Sequence, residues 1–305
     1  MKITVVGAGH VGATAALFLL QKQLGDVVLF DIVEGLPQGK ALDLMEAAPV
    51  LGFETKIAGT NEYSDIKDAD FVVITAGLAR KPGMTREDLL KKNAEIIKEV
   101  TLKIKEYAGQ AFILVVTNPL DVMTYHALKV SGFPKQRVFG QAGVLDGARF
   151  ASFIAQKMQA PVSDIKPLVL GGHGDSMVPL PRLSTVKGQA LTECLEPKEL
   201  EPLIERTRNA GAEIVGLLKT GSAYYSPAAS AVAMAEAVLC DQKKIMPASV
   251  LLDGEYGLKD VCIGVPVKLG KNGVEEIIEL ELKLEEKEAL HQSAAVYQKA
   301  IKSLP

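Results

Sequence analysis

Tryptophan is absent from this 305-residue chain, and aromatic residues of all kinds make up only 5% of it. That is too little to build a stacking platform for nucleic-acid bases. Neither sign of charge dominates. There are 34 basic and 37 acidic residues, a formal net charge of −3, and like charges gather only in short runs such as Glu285-Glu286. Nucleic acid is therefore not expected as a partner. The three cysteines, Cys194, Cys240 and Cys262, are scattered and form no C-x-x-C pair. That argues against a disulfide scaffold and a structural zinc site. No apolar run is long enough to span a bilayer, and residues 1–6 read as a strand and not as a cleavable leader. These absences lead to the expectation of a cytoplasmic globular protein with reduced thiols, no metal and no membrane contact.

The chain is rich in apolar material, 48% of its residues, and its length suffices for two packed lobes. Up to residue 142, strand and helix patterns alternate. Strands are predicted at 3–6, 27–30, 56–59, 71–74 and 112–116, with helices at 11–22, 35–47 and 86–106 between them. Phe71-Val72-Val73-Ile74 and Phe112-Ile113-Leu114-Val115-Val116 are continuously apolar, as strands covered on both faces of a parallel sheet must be. Such alternation means βαβ units with right-handed crossovers.

After residue 142 the pattern changes, with no flexible tether. Helices at 143–158, 199–218 and 225–240 precede strand-like runs at 248–252, 261–269 and 277–284. In the last run Ile278, Leu280, Leu282 and Leu284 share one face against Glu279, Glu281 and Lys283. Asn272-Gly273 is a hairpin signal, and a final amphipathic helix carries Leu290, Ala294, Tyr297 and Ile301.

Gly7-Ala8-Gly9-His10-Val11-Gly12 joins the first strand to the first helix. In that setting the first glycine permits a tight turn, the second lets backbone approach a pyrophosphate, and the third allows close helix–strand packing. The helix N-terminus then offers unpaired N–H groups to the phosphates. Asp31 ends the second strand, nineteen residues after Gly12, where a carboxylate accepts from ribose hydroxyls and repels a 2′-phosphate. The cofactor expected is NAD and not NADP. His10 is either a surface residue at the helix start or a minor phosphate contact. The expected fold class is α/β: a Rossmann-type parallel sheet in residues 1–142, the NAD-binding domain, followed by an α+β substrate lobe with an antiparallel meander in residues 143–305.

Of the four histidines, His126 and His291 fall in helical patterns. His173 stands in Gly171-Gly172-His173-Gly174-Asp175, where glycines permit close approach of a ligand, and its ordinary pKa suits proton transfer at neutral pH. Asp146 and Arg149 share one face of a predicted helix, as a site pair or as a surface ion pair. Arg80 to Arg86 follows a strand end, where open α/β sheets bind ligands. It is either a closing loop or a solvated basic one. Asn118, in Val116-Thr117-Asn118-Pro119, ends the next strand at the same sheet edge, as a nicotinamide-side contact, a helix cap, or both.

Taken together and in order, these motifs resemble the lactate/malate dehydrogenase family over essentially the whole chain. The similarity is greatest to the lactate-dehydrogenase-like bacterial malate branch. The resemblance implies roles. His173 is the proton acceptor, Asp146 orients it, Arg149 clamps the substrate's C1 carboxylate, and Arg86 polarises the reacting carbonyl. Asn118 contacts substrate and cofactor. Asn93, Val116 and Thr117 join Gly7, Ala8, Gly9, His10, Val11, Gly12 and Asp31 at the cofactor.

Arg80 stands where the family has glutamine in lactate enzymes and arginine in malate enzymes, and Ala223 fits the roomier malate-type wall. Arg80 would neutralise the second carboxylate of malate or oxaloacetate, with a discrimination of roughly 10³–10⁵ against pyruvate. The expected activity is the reversible NAD-dependent oxidation of (S)-malate to oxaloacetate by a homo-oligomer, dimer or tetramer. A lactate dehydrogenase and a non-catalytic NAD-binding regulator are the alternatives. An NAD-dependent glycosidase is set aside, because no cysteine lies near His173 to complete its metal site.

Overall fold

The computed structural model describes residues 1–78 and 85–304, with Arg86 described by its backbone alone. Six strands and four α-helices open the chain. In order they are β1 (Lys2–Val6), α1 (His10–Gln21), β2 (Asp26–Phe30), α2 (Leu36–Leu51), β3 (Ile57–Thr60), β4 (Phe71–Ile74), α3 (Arg86–Tyr107), β5 (Phe112–Val115), α4 (Leu120–Ser131) and β6 (Val138–Gly140). These strands are parallel and lie in the order β3-β2-β1-β4-β5-β6. That is the dinucleotide-fold order, and the winding reverses between β1 and β4, leaving a crevice at the strand ends. Ile3, Val5, Leu29, Phe71, Val73, Ile113 and Leu114 are fully buried, because helices cover both faces. α3 starts where it does because Thr85 Oγ1 accepts from the Asp88 N–H at 3.0 Å while Asp88 accepts from the Thr85 N–H at 3.1 Å, a reciprocal cap.

The second half begins with α5 (Gly143–Met158). Five two-residue strands follow: β7 (Ile165–Lys166), β8 (Val169–Leu170), β9 (Val178–Pro179), β10 (Thr185–Val186) and β11 (Gln189–Ala190). Then come α6 (Leu191–Cys194), α7 (Pro197–Leu218), α8 (Tyr225–Leu239), β12 (Lys244–Asp253), β13 (Lys259–Gly270), β14 (Gly273–Ile277) and α9 (Leu284–Ile301). The antiparallel meander β12-β13-β14 does not stand apart. It continues the parallel sheet at β6 through a single Ser249–Gly140 pairing, making nine strands. Pro247 has no N–H to extend that pairing. A second, smaller core gathers Phe150, Ile154, Met177, Leu191 and Leu200 beneath α5 and α7.

The last expected strand, 277–284, is displaced: the third strand of the meander is β14 at Gly273–Ile277, and the two share only Ile277. Alternation runs on to Leu284, but β14 ends at Ile277. The Tyr256 hydroxyl donates to the Ile278 carbonyl at 2.6 Å and accepts from the Leu280 N–H at 3.1 Å. A side chain thus takes the bonds a partner strand would make. Leu280 and Leu282 still pack on the core, which preserves the alternation without the ladder.

Candidate active site

The glycine loop closes around Gly7, whose φ of +104° suits glycine. A methyl group on Gly7 would meet the Ala76 nitrogen and Thr75 Oγ1 at 2.7 Å, and one on Gly12 would overlap the Gly7 carbonyl. Gly9 is different, since nothing lies within 4 Å of where its Cβ would be. It caps α1 with no side-chain bond, so the first N–H groups of that helix face open space. Those features fit a pyrophosphate. Asp31 is bonded to the same loop, Oδ2 accepting from the Ala8 N–H at 2.7 Å and Oδ1 from the Val33 N–H at 3.0 Å. His10 is exposed, and its ring lies 5.1 Å from that of Tyr224.

Asn93 is buried, its Oδ1 accepting from the Leu78 N–H at 2.8 Å and its Nδ2 donating to the Asn118 carbonyl at 2.7 Å. It ties two strand-end loops together. Thr117 donates to the Ala76 carbonyl at 2.7 Å. Asn118 does two things. Its Oδ1 accepts from the Leu120 N–H at 3.3 Å at the start of α4, and it lines the cleft described next.

Beyond these loops lies a cleft of about 320 Å³, lined by Val116, Asn118, Leu145, Arg149, His173 and Ala223 among others. A larger hollow of about 440 Å³ between α7 and α9 reaches Asp175 and Arg208 but holds none of His173, Asp146 and Arg149. The chemistry therefore belongs to the smaller cleft. Asp146 and Arg149, one turn apart on α5, are not a surface pair, with side chains 2% and 12% exposed. Asp146 Oδ2 lies 3.0 Å from His173 Nδ1, and its Oδ1 lies 3.5 Å from Arg149 Nη1. The buried Nε of Arg149 has no partner, leaving the guanidinium short of acceptors. With Nδ1 committed to Asp146, His173 Nε2 is the nitrogen available to a ligand in the cleft.

Burial opposes a charge on His173, but the charge and hydrogen bond of Asp146 outweigh it, and the pKa rises above the ordinary histidine value. Burial lowers the pKa of Arg149, and Asp146 opposes that shift. The arrangement can hold a proton at Nε2 and grip an anion beside it. Arg80 lies outside the described residues, as does the side chain of Arg86. The other two histidines sit elsewhere. His126 is buried in α4, and His291 in α9 bonds the Tyr256 carbonyl through Nε2 at 2.8 Å.

Two residues escaped the sequence reading. Gln141 lines the cleft, 2% exposed, with its amide nitrogen unpartnered. Asp121 of α4 accepts from the His173 main-chain N–H at 2.8 Å. Neither carries a spacing signal. Only burial beside the site marks them.

Residues 1–140 match the pattern of the lactate/malate dehydrogenase NAD binding domain, and residues 143–304 that of the family's alpha/beta C-terminal domain. Together with the dinucleotide crevice, this makes the chain an NAD-dependent oxidoreductase. It belongs to the lactate/malate dehydrogenase family. Malate dehydrogenase of Pelodictyon phaeoclathratiforme is 57% identical over 305 residues, 100% of this chain and 98% of that one. The structure of malate dehydrogenase from Salinibacter ruber superposes with a TM-score of 0.95 at 49% identity, covering 99% of this chain and 97% of that one. Lactate dehydrogenase from Cryptosporidium parvum, solved with lactic acid and nicotinamide adenine dinucleotide, gives 0.95 at 43% identity, covering 99% and 96%.

The two glycines predict opposite failures. Gly9→Ala leaves the thermal midpoint unchanged but weakens NADH binding, measured by fluorescence titration. Overpacking there costs about 1–3 kcal/mol, on the order of 5- to 150-fold in affinity. Gly12→Ala lowers stability itself, by a similar ~1–3 kcal/mol. Equal effects of the two on melting would contradict this reading of the loop.

Proposed function

We propose that the chain interconverts (S)-malate and oxaloacetate, with His173 as the proton acceptor. The observation that carries the reading is the double engagement of Asp146, which meets His173 Nδ1 on one oxygen and Arg149 on the other. NAD, when bound, supplies the nicotinamide that accepts or returns hydride. The residues do the rest. His173 takes the hydroxyl proton at Nε2, and Asp146 stabilises the imidazolium that results. Arg149 grips the C1 carboxylate, its planar fork suiting a two-point hold. Asn118 and Gln141 offer amides to the polar groups of substrate and nicotinamide, and Asn93 keeps Asn118 in position. Gly7 to Gly12 receive the pyrophosphate and Asp31 the adenosine ribose. Arg86 polarises the reacting carbonyl and Arg80 neutralises the second carboxylate. These last two assignments rest on the family pattern. The malate dehydrogenases among the relatives support the choice of malate.

Lactate is the second reading, favoured by the likeness to the lactate enzyme solved with lactic acid. Arg80 argues against it, since with pyruvate the guanidinium would face a methyl group across a closed site. The work we assign to the protein is the malate step of the tricarboxylic acid cycle in the cytoplasm. Among the described residues no helix is long and apolar enough to cross a membrane. We also assign it a homo-oligomeric state. α2 exposes Leu42, Met45 and Val50, and the end of α7 exposes Leu217 and Leu218, apolar side chains without a partner in the monomer.

NADH oxidation is predicted to be fast with oxaloacetate and slower with pyruvate by roughly 10³-fold or more. Arg80→Gln shifts the ratio toward pyruvate. Equal rates on the two oxo acids, or a ratio untouched by the substitution, would remove Arg80 from this role. Light scattering is expected to return a multiple of the chain mass, and a monomer at micromolar concentration would contradict the oligomer.

A further inference from the structure

Seven arginines occur in the chain, and five of them are described with their side chains. Three of the five are taken up at short range. Arg137 Nη1 donates to the Gly109 carbonyl at 3.0 Å. Arg182 reaches the Glu286 carboxylate at 2.7 and 3.1 Å, and Arg206 reaches that of Glu213 at 2.9 and 3.0 Å. The other two have no acceptor nearer than 3.4 Å among the described residues. One is Arg149, already given the C1 carboxylate. The other is Arg208 of α7, and it lines the same cleft, in the wall that separates the cleft from the larger hollow.

Arg208 is loosely held. Its Nε donates to the Met177 carbonyl at 3.4 Å, a long bond to the chain that follows the His173 loop. Its Nη1 lies 3.9 Å from Glu205 Oε2, beyond hydrogen-bond distance. The Glu205 side chain is 62% exposed, so water screens that pair. Arg206, two residues earlier, shows the ordinary arrangement for a helix surface, a two-point pairing with Glu213 on its own helix. Arg208 lacks such a partner and keeps its terminal donors for something else.

The turn of α7 brings it to the cleft. Leu200, Leu203, Thr207 and Ala210 form the buried side of the helix. Arg208, Gly211, Ala212 and Val215 recur at helical spacing along the cleft. A methyl group on Gly211 would lie 3.6 Å from Arg149 Nη2, so the helix passes directly against the first clamp. Arg208 stands one turn back on the same wall. Gly211, Ala212 and Ala223 are small and leave room for a ligand there. Among the described residues, the charged side chains lining the cleft are Arg149, Arg208 and Asp175, with His173 able to titrate. Arg149 answers one carboxylate. Asp175 repels a second, and Arg208 is the described cation left to attract it.

We propose that Arg208 is a specificity-determining residue, a cation on α7 that binds the second carboxylate of a four-carbon dicarboxylate while Arg149 binds the first. The inference rests on the malate reading and deepens it. The family pattern assigns Arg80 to the same carboxylate, and one carboxylate serves both arginines, since its two oxygens offer about four acceptor sites. Arg208 projects from a helix that packs on the second core through Leu200 and Leu203. Its charge is therefore in place before substrate arrives, and it draws a dicarboxylate into the cleft as well as holding it there. Pyruvate offers it only a methyl group. The preference for oxaloacetate is thus divided between two residues instead of resting on Arg80 alone.

The ratio of kcat/KM for oxaloacetate to that for pyruvate, followed by NADH oxidation, reads this division. Arg208→Gln is expected to lower the ratio roughly tenfold or more, chiefly through KM for oxaloacetate, with NADH affinity and melting temperature kept. Arg80→Gln alone is expected to leave a preference for oxaloacetate, and the double variant to remove it. Arg208→Lys keeps the charge and gives up the Met177 bond. It is expected to recover part of the ratio, a point charge replacing the fork. An unchanged ratio in Arg208→Gln overturns the proposal. So does a lower melting temperature with both oxo acids slowed alike, the mark of an arginine that only ties α7 to Met177. A lysine variant no better than the glutamine one also overturns it, since charge would then not be the cause. Equal rates of the wild type on the two oxo acids would overturn the malate reading itself, whereas a wild type that prefers oxaloacetate beside an unaffected Arg208→Gln would overturn Arg208 alone.

Discussion

A carboxylate with 2% of its side chain exposed has to be paired, and Asp146 is paired twice, with the His173 ring and with Arg149. The rest of the site follows from that constraint. The histidine is held by Nδ1 and turned so that Nε2 meets the cleft. The arginine stays charged while buried, with donors to spare for an anion. One acid therefore holds both the imidazole and the guanidinium, and it does so from a helix, whose turn sets the separation of Asp146 and Arg149. Such a shared charge resists piecemeal change, since removing Asp146 leaves a buried guanidinium and an unsupported imidazole together.

The fold brings this pair to the cofactor by continuing one sheet through both halves. β6 ends at Gly140, where any larger residue would strike Thr124 and Ser249, and α5 starts three residues later. The helix that carries Asp146 and Arg149 is therefore anchored at the strand edge where the dinucleotide crevice opens. α4 does similar work on the other side, carrying Asn118 ahead of its first turn and Asp121 within it. The meander contributes Ser249, and the last helix contributes Ser293 and Tyr297, so the His173 loop is braced by parts of the chain more than a hundred residues downstream of α4.

Much of this was legible in the sequence. The glycine loop and Asp31 announced a dinucleotide because their chemistry is written in consecutive residues and a fixed spacing. His173 stood out through its flanking glycines. Asp146 and Arg149 could be put on one face of a helix, but spacing does not report burial, and a surface ion pair has the same spacing. Asp121 and Gln141 were missed for the related reason that a single buried polar residue leaves no periodic trace. The strand expected to run to Leu284 failed in a different way. Its alternation records packing against the core, which the segment keeps, and not hydrogen bonding, which Tyr256 takes over.

The central claim is that the charge of Asp146 makes His173 basic enough to take the substrate's proton. Rapid mixing of Asp146→Asn with NAD and malate, followed by NADH absorbance, tests it most directly, because the amide keeps a polar group against Nδ1 while removing the charge. The account predicts that the first turnover slows by about 100-fold or more, with NADH affinity retained. A first turnover as fast as that of the wild type would contradict it.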